Sequence, residues 1–331
     1  MAALRAGIIG LGSMGRHHVR TLRALEGVDL VAVADEGGDP FGVAGDLEVL
    51  PNLEALLAVG LDYIVIATPT DSHEQLGLQT AEAGVHALIE KPLAKTVKQA
   101  KTLADAFASR DLIGATGHVE RYNPALQELR QRLEHGELGD IYQIATRRQG
   151  PFPARVADVG VVKDLASHDI DLTSWVTGRD FELVAARTMF KTGREYEDML
   201  SATCQLSGGL MSNHIVNWLT PTKERLTMVT GEKGMFVANT LTADLTFFAN
   251  GNQFAIWEDL AQFRGVSEGN ITRFAIPKPE PLVTEHQNFR NALLGEKADI
   301  VTLDQGTRVV KVCEALLQSA STNTFIDVRQ C

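Results

Sequence analysis

Cysteine is scarce in this sequence, at three among 331 residues. Cys204, Cys313 and Cys331 are scattered, odd in number and outside any CxxC or Cys/His cluster. Neither a disulfide framework nor a zinc site is therefore expected, and no metal is assigned. Positive charge is also in deficit, with 31 Lys and Arg against 42 Asp and Glu and a formal net charge of −11. That balance argues against nucleic acid or an anionic membrane as the main partner, while leaving room for a local basic pocket. Long apolar runs are missing as well. No stretch of ~18 apolar residues is present to span a bilayer, and no cationic leader precedes a cleavage site, so the cytoplasm is the expected location. Internal repeats and low-complexity tracts are absent.

What remains is ordinary globular composition, 44% hydrophobic and 22% charged. A chain of this length favours two domains and can bury a sizeable core unaided. Two textures follow one another. Up to Gly117, short apolar runs alternate with helical patterns, the signature of βαβ units and a parallel sheet. Ala6–Ile9, Leu30–Ala34, Tyr63–Ala67 and His86–Ile89 read as strands, with helices over Arg16–Leu25, Ser72–Ala83 and Thr96–Phe107. Pro124–His135 and Lys163–Gly178 then read as helices around a strand Ile141–Arg148. Beyond Gly178 come strand pairs: Ser201–Leu206 with Leu210–Val216, Leu226–Thr230 with Met235–Ala238, and Leu245–Ala249 with Gln253–Trp257 across Asn250-Gly251. Glu258–Leu282 reads as loop, and Glu285–Leu294 and Asp304–Ser319 as closing helices. The expected architecture is an α/β Rossmann domain over residues 1–117. An α+β domain with a large, mostly antiparallel open sheet follows over 118–331.

Gly10-Leu11-Gly12-Ser13-Met14-Gly15 is a GxGxxG that follows a strand and opens a helix, the context that gives the pattern meaning. Gly10 serves the tight turn, Gly12 the approach of a pyrophosphate and Gly15 the close packing of helix on strand. Ser13 and Met14 complete the phosphate loop at the helix N-terminus. Asp35 ends the second strand, where an acid accepts hydrogen bonds from the adenosine ribose. Glu36 and Asp39 follow it with no cation to receive a 2′-phosphate, which favours NAD over NADP. Thr68 and Pro69, at the third strand end, are expected on the nicotinamide side. His73 fits either a cofactor contact or a structural role.

Glu90-Lys91-Pro92 closes the fourth strand, where a lysine can point into the crevice beside the cofactor or simply stand on the surface. If residues 163–178 are helical, Asp164, His168 and Asp171 stand at i, i+4 and i+7. A histidine beside carboxylates can serve as a general base near neutral pH, although a solvated helix face has the same spacing.

The GxGxxG, Asp35, Glu90-Lys91-Pro92, the run Gly117-His118-Val119-Glu120-Arg121-Tyr122-Asn123-Pro124 and Asp164-xxx-His168 occur in this order. Together they resemble the glucose–fructose oxidoreductase / inositol dehydrogenase / MocA family over essentially the whole chain. The resemblance implies an NAD-dependent oxidoreductase acting on a CH–OH group, with an open second-domain sheet that serves homo-oligomerisation. It implies cofactor contacts from the glycine loop, Asp35, Thr68, Pro69, His73, Glu90 and Lys91. It further implies Lys91 at the nicotinamide ribose and reacting hydroxyl, Asp164 orienting the sugar and His168 as acid/base.

The His118 region and Arg147–Asp171 also resemble family members that act on UDP-N-acetylhexosamines, UDP-N-acetylglucosamine 3-dehydrogenases among them. On that likeness His118, Arg121 and Tyr122 are substrate candidates. Arg147, Arg148, Arg155 and Lys163 supply cations that could grip a diphosphate or, equally, balance neighbouring acids. The expected reaction is oxidation of a sugar ring hydroxyl, at C3 of UDP-N-acetylglucosamine on the narrower likeness. A free polyol or aldose such as myo-inositol is the alternative within the enzyme class. A non-catalytic NAD-binding regulator is the alternative outside it, disfavoured by the lysine and histidine.

Overall fold

The apolar runs that open the chain are buried on both sides, as strands of a parallel sheet between helices must be. This is seen in a computed structural model that describes residues 3–152, 159–251 and 268–330. The elements begin β1 (Leu4–Ile9), α1 (Gly15–Ala24), β2 (Val28–Ala34), β3 (Val49–Leu50), α2 (Leu53–Leu57) and β4 (Tyr63–Ile66). They continue α3 (Thr70–Glu82), β5 (His86–Glu90), α4 (Val97–Ala108), β6 (Gly114–Gly117), α5 (Pro124–Glu134) and β7 (Ile141–Pro151). A π-helical turn, Val162–Ala166, runs into α6 (Ser167–Thr177). Strands β8 (Phe181–Met189), β9 (Met199–Leu206), β10 (Met211–Asn217), β11 (Leu219–Gly231), β12 (Gly234–Asn239), β13 (Asp244–Asn250) and β14 (Glu268–Arg273) follow. The chain closes with α7 (Pro281–Leu293), α8 (Leu303–Thr322) and β15 (Ile326–Asp327). Among the described residues no helix is long and apolar enough to cross a membrane.

The chain forms two compact units. The first comprises Met1–Val119, Pro153–Ser167 and Glu280–Glu314. Its sheet is parallel in the order β3-β2-β1-β4-β5-β6, a doubly wound Rossmann arrangement. One face of that sheet packs Ile9, Ile64, Ile66 and Ile89 against Leu56, Leu103 and Phe107. The other packs Ile8, Val33 and Val65 against Val19, Leu22 and Phe289. A single boundary is expected after Gly117, whereas the unit runs past β6 to Val119 and takes in two later segments. The reason lies at β6: Thr116 N–H donates to the Val301 carbonyl at 2.8 Å, and Ala115 bridges to Thr302. Leu303 and Val310 of α8 then complete the adjoining core.

The second unit comprises Glu120–Phe152, His168–Pro279 and Ala315–Cys331. Its nine-stranded sheet runs β14-β13-β12-β11-β7-β10-β9-β8-β15, antiparallel except where β10 meets β7. Burial alternates along the strands, as period-2 side chains require when one face is covered. On the covered face Ile144, Val229, Phe236 and Leu245 meet Leu126 and Leu129 of α5 and Leu172 and Trp175 of α6. Met211, Ile215, Phe248 and Ile271 are left exposed. The expected loop Glu258–Leu282 is corrected in part. Residues 268–273 form β14, pairing Phe248 with Ile271, and α7 starts at Pro281. The strand expected at Gln253–Trp257 lies outside the described residues.

Candidate active site

The glycine loop has the geometry its spacing demands. Gly10 has φ +96°, and a Cβ there would stand 2.6 Å from the Ala67 carbonyl oxygen. A Cβ on Gly15 would fall 1.9 Å from the Gly10 oxygen, so helix and strand meet with no room for a side chain. Around Gly12, by contrast, nothing lies within 4 Å. Met14 takes the N-cap position of α1 without a side-chain acceptor, and the first turn carries no acid. The helix N-terminus thus keeps amide donors for an anion, beside open space at Gly12, which fits a dinucleotide pyrophosphate. Asp35 accepts from Leu11 N–H at 2.6 Å and Gly37 N–H at 2.7 Å. Its carboxylate is thereby fixed at the end of β2 with lone pairs left for a ribose diol.

His73 resolves as a structural tie. It is fully buried, with Nδ1 3.0 Å from the Pro92 oxygen and Nε2 2.9 Å from the Thr68 oxygen. Burial lowers its pKa, against the pull of those carbonyls. It therefore links the Thr68–Pro69 corner after β4 to the Lys91–Pro92 corner after β5. The helix expected from Ser72 begins two residues earlier. α3 starts at Thr70 with Pro69 as its N-cap, and Ser72 Oγ bonds the Thr68 hydroxyl at 2.7 Å and the Pro69 oxygen at 2.9 Å.

At the end of β5, Lys91 Nζ donates to Asp164 Oδ1 at 2.8 Å and to the Asp164 backbone oxygen at 2.9 Å. Both side chains are largely buried, at 15% and 5% exposed, so this lysine is not a surface residue. The preceding acid faces inward. Glu90 Oε1 lies 2.8 Å from His18 Nε2, His18 Nδ1 lies 2.8 Å from His286 Nε2, and Glu90 Oε2 receives the Lys91 amide at 3.1 Å. Burial works to raise the Glu90 pKa, but the His18 contact and Lys91 outweigh it and hold the carboxyl below its usual value. The sequence reading missed His18 and His286, because their partners lie 72 and 268 residues away. His118 is buried just past β6 in a small pocket with Pro92, Leu93, Lys163 and Ser167. Lys163 Nζ donates to the Lys95 carbonyl at 2.6 Å.

The i, i+4, i+7 reading of Asp164, His168 and Asp171 requires a regular α-helix, and the π-helical turn around Asp164 breaks that register. The acids are not a solvated face either. Asp164, Asp169 and Asp171 are all buried, while His168 is half-buried. Within the second unit, Arg121 clamps Asp171 with two bonds, Nε to Oδ2 at 2.8 Å and Nη2 to Oδ1 at 2.5 Å. Arg148 donates to Asp169 at 2.8 Å and to Glu120 at 3.0 Å. Burial works to raise the Glu120 pKa, yet Arg148 brings it down. For Asp169, burial prevails and the carboxyl sits above its usual value. Arg121, expected as a substrate candidate, is thus an internal partner of an acid, and of the two places open to Arg148 it takes the one beside neighbouring acids. Tyr122 is buried at 3% exposure. Arg147 stays half-exposed beside Glu224 at 3.0 Å. Arg155 lies outside the described residues.

A doubly wound sheet with a phosphate-ready glycine turn and a fixed strand-end acid, with a buried lysine–aspartate pair at a neighbouring strand end, marks a dinucleotide-binding protein. The GFO/IDH/MocA model described as "Oxidoreductase family, NAD-binding Rossmann fold" matches residues 4–118, and that family's C-terminal domain matches 126–237. The chain belongs to the GFO/IDH/MocA oxidoreductase family, and its cofactor is NAD. It is similar to the UDP-N-acetylglucosamine 3-dehydrogenase of Acidithiobacillus ferrooxidans, 35% identical over 64% of this chain and 66% of that protein. An inositol 2-dehydrogenase of Saccharopolyspora erythraea is 29% identical over 57% of this chain and 58% of its own. The chain thus spans less than two thirds of the length of these two curated relatives. A solved structure of the A. ferrooxidans enzyme superposes with a TM-score of 0.86 at 27% identity, covering 97% of this chain and 99% of that one.

Proposed function

We propose that this protein oxidises a ring hydroxyl of a nucleotide sugar to a ketone with NAD, at C3 of a UDP-N-acetylhexosamine such as UDP-N-acetylglucosamine. The observation that carries the reading is the bond from Lys91 Nζ to Asp164 Oδ1 at 2.8 Å, sheltered at a Rossmann strand end. NAD supplies the hydride acceptor when bound. Lys91, held by Asp164 on one side, keeps ammonium donors for the substrate hydroxyl oxygen. His168, four residues after Asp164 and half-buried, takes the hydroxyl proton as general base. Asp164 fixes the lysine and orients the sugar. The likeness to the A. ferrooxidans enzyme favours the nucleotide sugar, and the likeness to an inositol dehydrogenase keeps a free polyol as the second reading.

Met211, Ile215, Phe248 and Ile271 on the second unit's sheet are assigned to pairing with another copy of the chain, as exposed apolar sheet surface favours. Titration with UDP-N-acetylglucosamine and with myo-inositol, following NADH absorbance, tests the substrate. NADH formation with the UDP-sugar is expected. Turnover of myo-inositol with no response to any UDP-sugar overturns the nucleotide-sugar reading. Light scattering of the eluting protein checks the assembly.

A further inference from the structure

Within the second unit, an aromatic cluster stands apart from the residues assigned so far. Arg194, in the loop after β8, lays its guanidinium 4.5 Å from the Phe152 ring centroid, 5.1 Å from Trp218 and 5.9 Å from Tyr196. Phe152 and Trp218 meet edge to face with centroids 5.4 Å apart. Phe152 follows β7 in the alternation that buries Ile144, Thr146, Arg148 and Gly150, so it continues the covered face of the sheet. Trp218 likewise follows Ser212, His214 and Val216. Trp218 is almost wholly buried, and its indole N–H has no acceptor among the described residues. Phe152 remains 36% exposed.

We propose that Phe152, Tyr196, Trp218 and Arg194 form the seat for the nucleobase of the nucleotide-sugar substrate, an inference that rests on the function proposed above. Three observations set the ligand class. First, an aromatic cage ordinarily receives a cation, but here Arg194 already supplies one and would repel another. Second, Glu195, Glu197 and Asp198 share the Arg194 loop and disfavour a diphosphate there. A neutral planar heterocycle is what stacks on both an aromatic ring and a guanidinium plane. Third, the spacing suits such a substrate. Arg148 holds Asp169, the neighbour of His168, and Phe152 lies four residues further along, ~13 Å at ~3.3 Å per residue. The diphosphate and ribose of an extended nucleotide sugar separate its two rings by a span of that order. Sequence reading had no means of finding this cluster, because its members come from three separate stretches of chain.

The test compares wild type, Phe152→Ala and Phe152→Tyr in calorimetric titrations with UDP and in turnover of UDP-N-acetylglucosamine and N-acetylglucosamine 1-phosphate. Phe152→Ala is expected to raise the UDP Kd and the UDP-sugar KM by ~5- to 150-fold, the equivalent of one lost base stack. Phe152→Tyr restores both, and the base-free sugar phosphate does not distinguish the variants. If Phe152→Ala binds UDP as wild type does while both oxidise UDP-N-acetylglucosamine, the seat is wrong and the substrate reading stands. If wild type binds no UDP and oxidises only polyols, both fall.

Discussion

Two buried cation–carboxylate pairs in this protein look alike on paper and differ in what they leave available. Lys91 meets a single carboxylate, Asp164, and its side chain keeps 15% exposure. Arg148 meets two, Glu120 and Asp169, and keeps 4%. A lysine ammonium has three donors on a flexible stem, so two bonds to Asp164 leave capacity for a third. Arg148 has its planar fork turned wholly inward, and the neighbouring acids absorb its charge. The function proposed above draws on the first pair for chemistry, while the second ties β7 to the turn of helix that carries His168. Sequence alone leaves Lys91 between crevice and surface, and Arg148 between a diphosphate and neighbouring acids. Burial and partner number separate them.

The strongest way to break this contrast is to exchange the roles. Lys91→Met and His168→Ala are each expected to cut kcat by ~10²–10⁴-fold while NAD affinity, read by fluorescence titration, holds. Near-normal turnover in either would remove that residue from the mechanism. Arg148→Met is expected to lower folding stability by ~3–5 kcal/mol, because two buried acids lose their partner. A shift in the urea midpoint reports it, and an unchanged midpoint would return Arg148 to the substrate list. A smaller effect should appear with pH at His214, buried between Thr146 (2.8 Å) and Ser212 (3.0 Å). Burial pushes its pKa down to about 4 from 6.5. Between those values the unfolded chain takes up a proton that the folded one refuses, so stability falls as pH drops from 6.5 toward 4. The full loss is about 3 kcal/mol, and His214→Gln should flatten that part of the unfolding profile. Least of all, Asp35→Ala should weaken NAD by ~10- to 100-fold, the scale of a charged hydrogen bond. NADP should weaken less, so the gap between the two cofactors narrows.

Much of the first unit was legible because its strands are continuous apolar runs and the GxGxxG has a local mechanism. β3 and β6 escaped notice for a physical reason. β3 is two residues long, and β6 reads Gly-Ala-Thr-Gly, which carries no hydrophobic pattern. β14 escaped because an edge strand needs no clean alternation, and Ile271 is 67% exposed. Lys91, Asp164 and His168 could be singled out from strand-end position and spacing, but the partners could not. The π-helical turn sends Asp164 to Lys91 and leaves Asp169 and Asp171 to two arginines, a division that a 3.6-residue wheel does not contain. His18 and His286 carry no motif at all. Only the relay from Glu90 through His18 to His286 marks them.

The hydrogen bond from Thr116 to Val301 has a practical consequence for anyone cutting this gene. A fragment ending at Gly117 would hold the whole glycine turn and all six strands of the sheet, yet β6 would lose the segment that covers its outer side. Its backbone donors and acceptors would then face solvent as a bare template for a neighbouring molecule. Such a fragment should collect in inclusion bodies or associate edge to edge. Appending residues 280–314 through a short linker should restore a soluble cofactor-binding module.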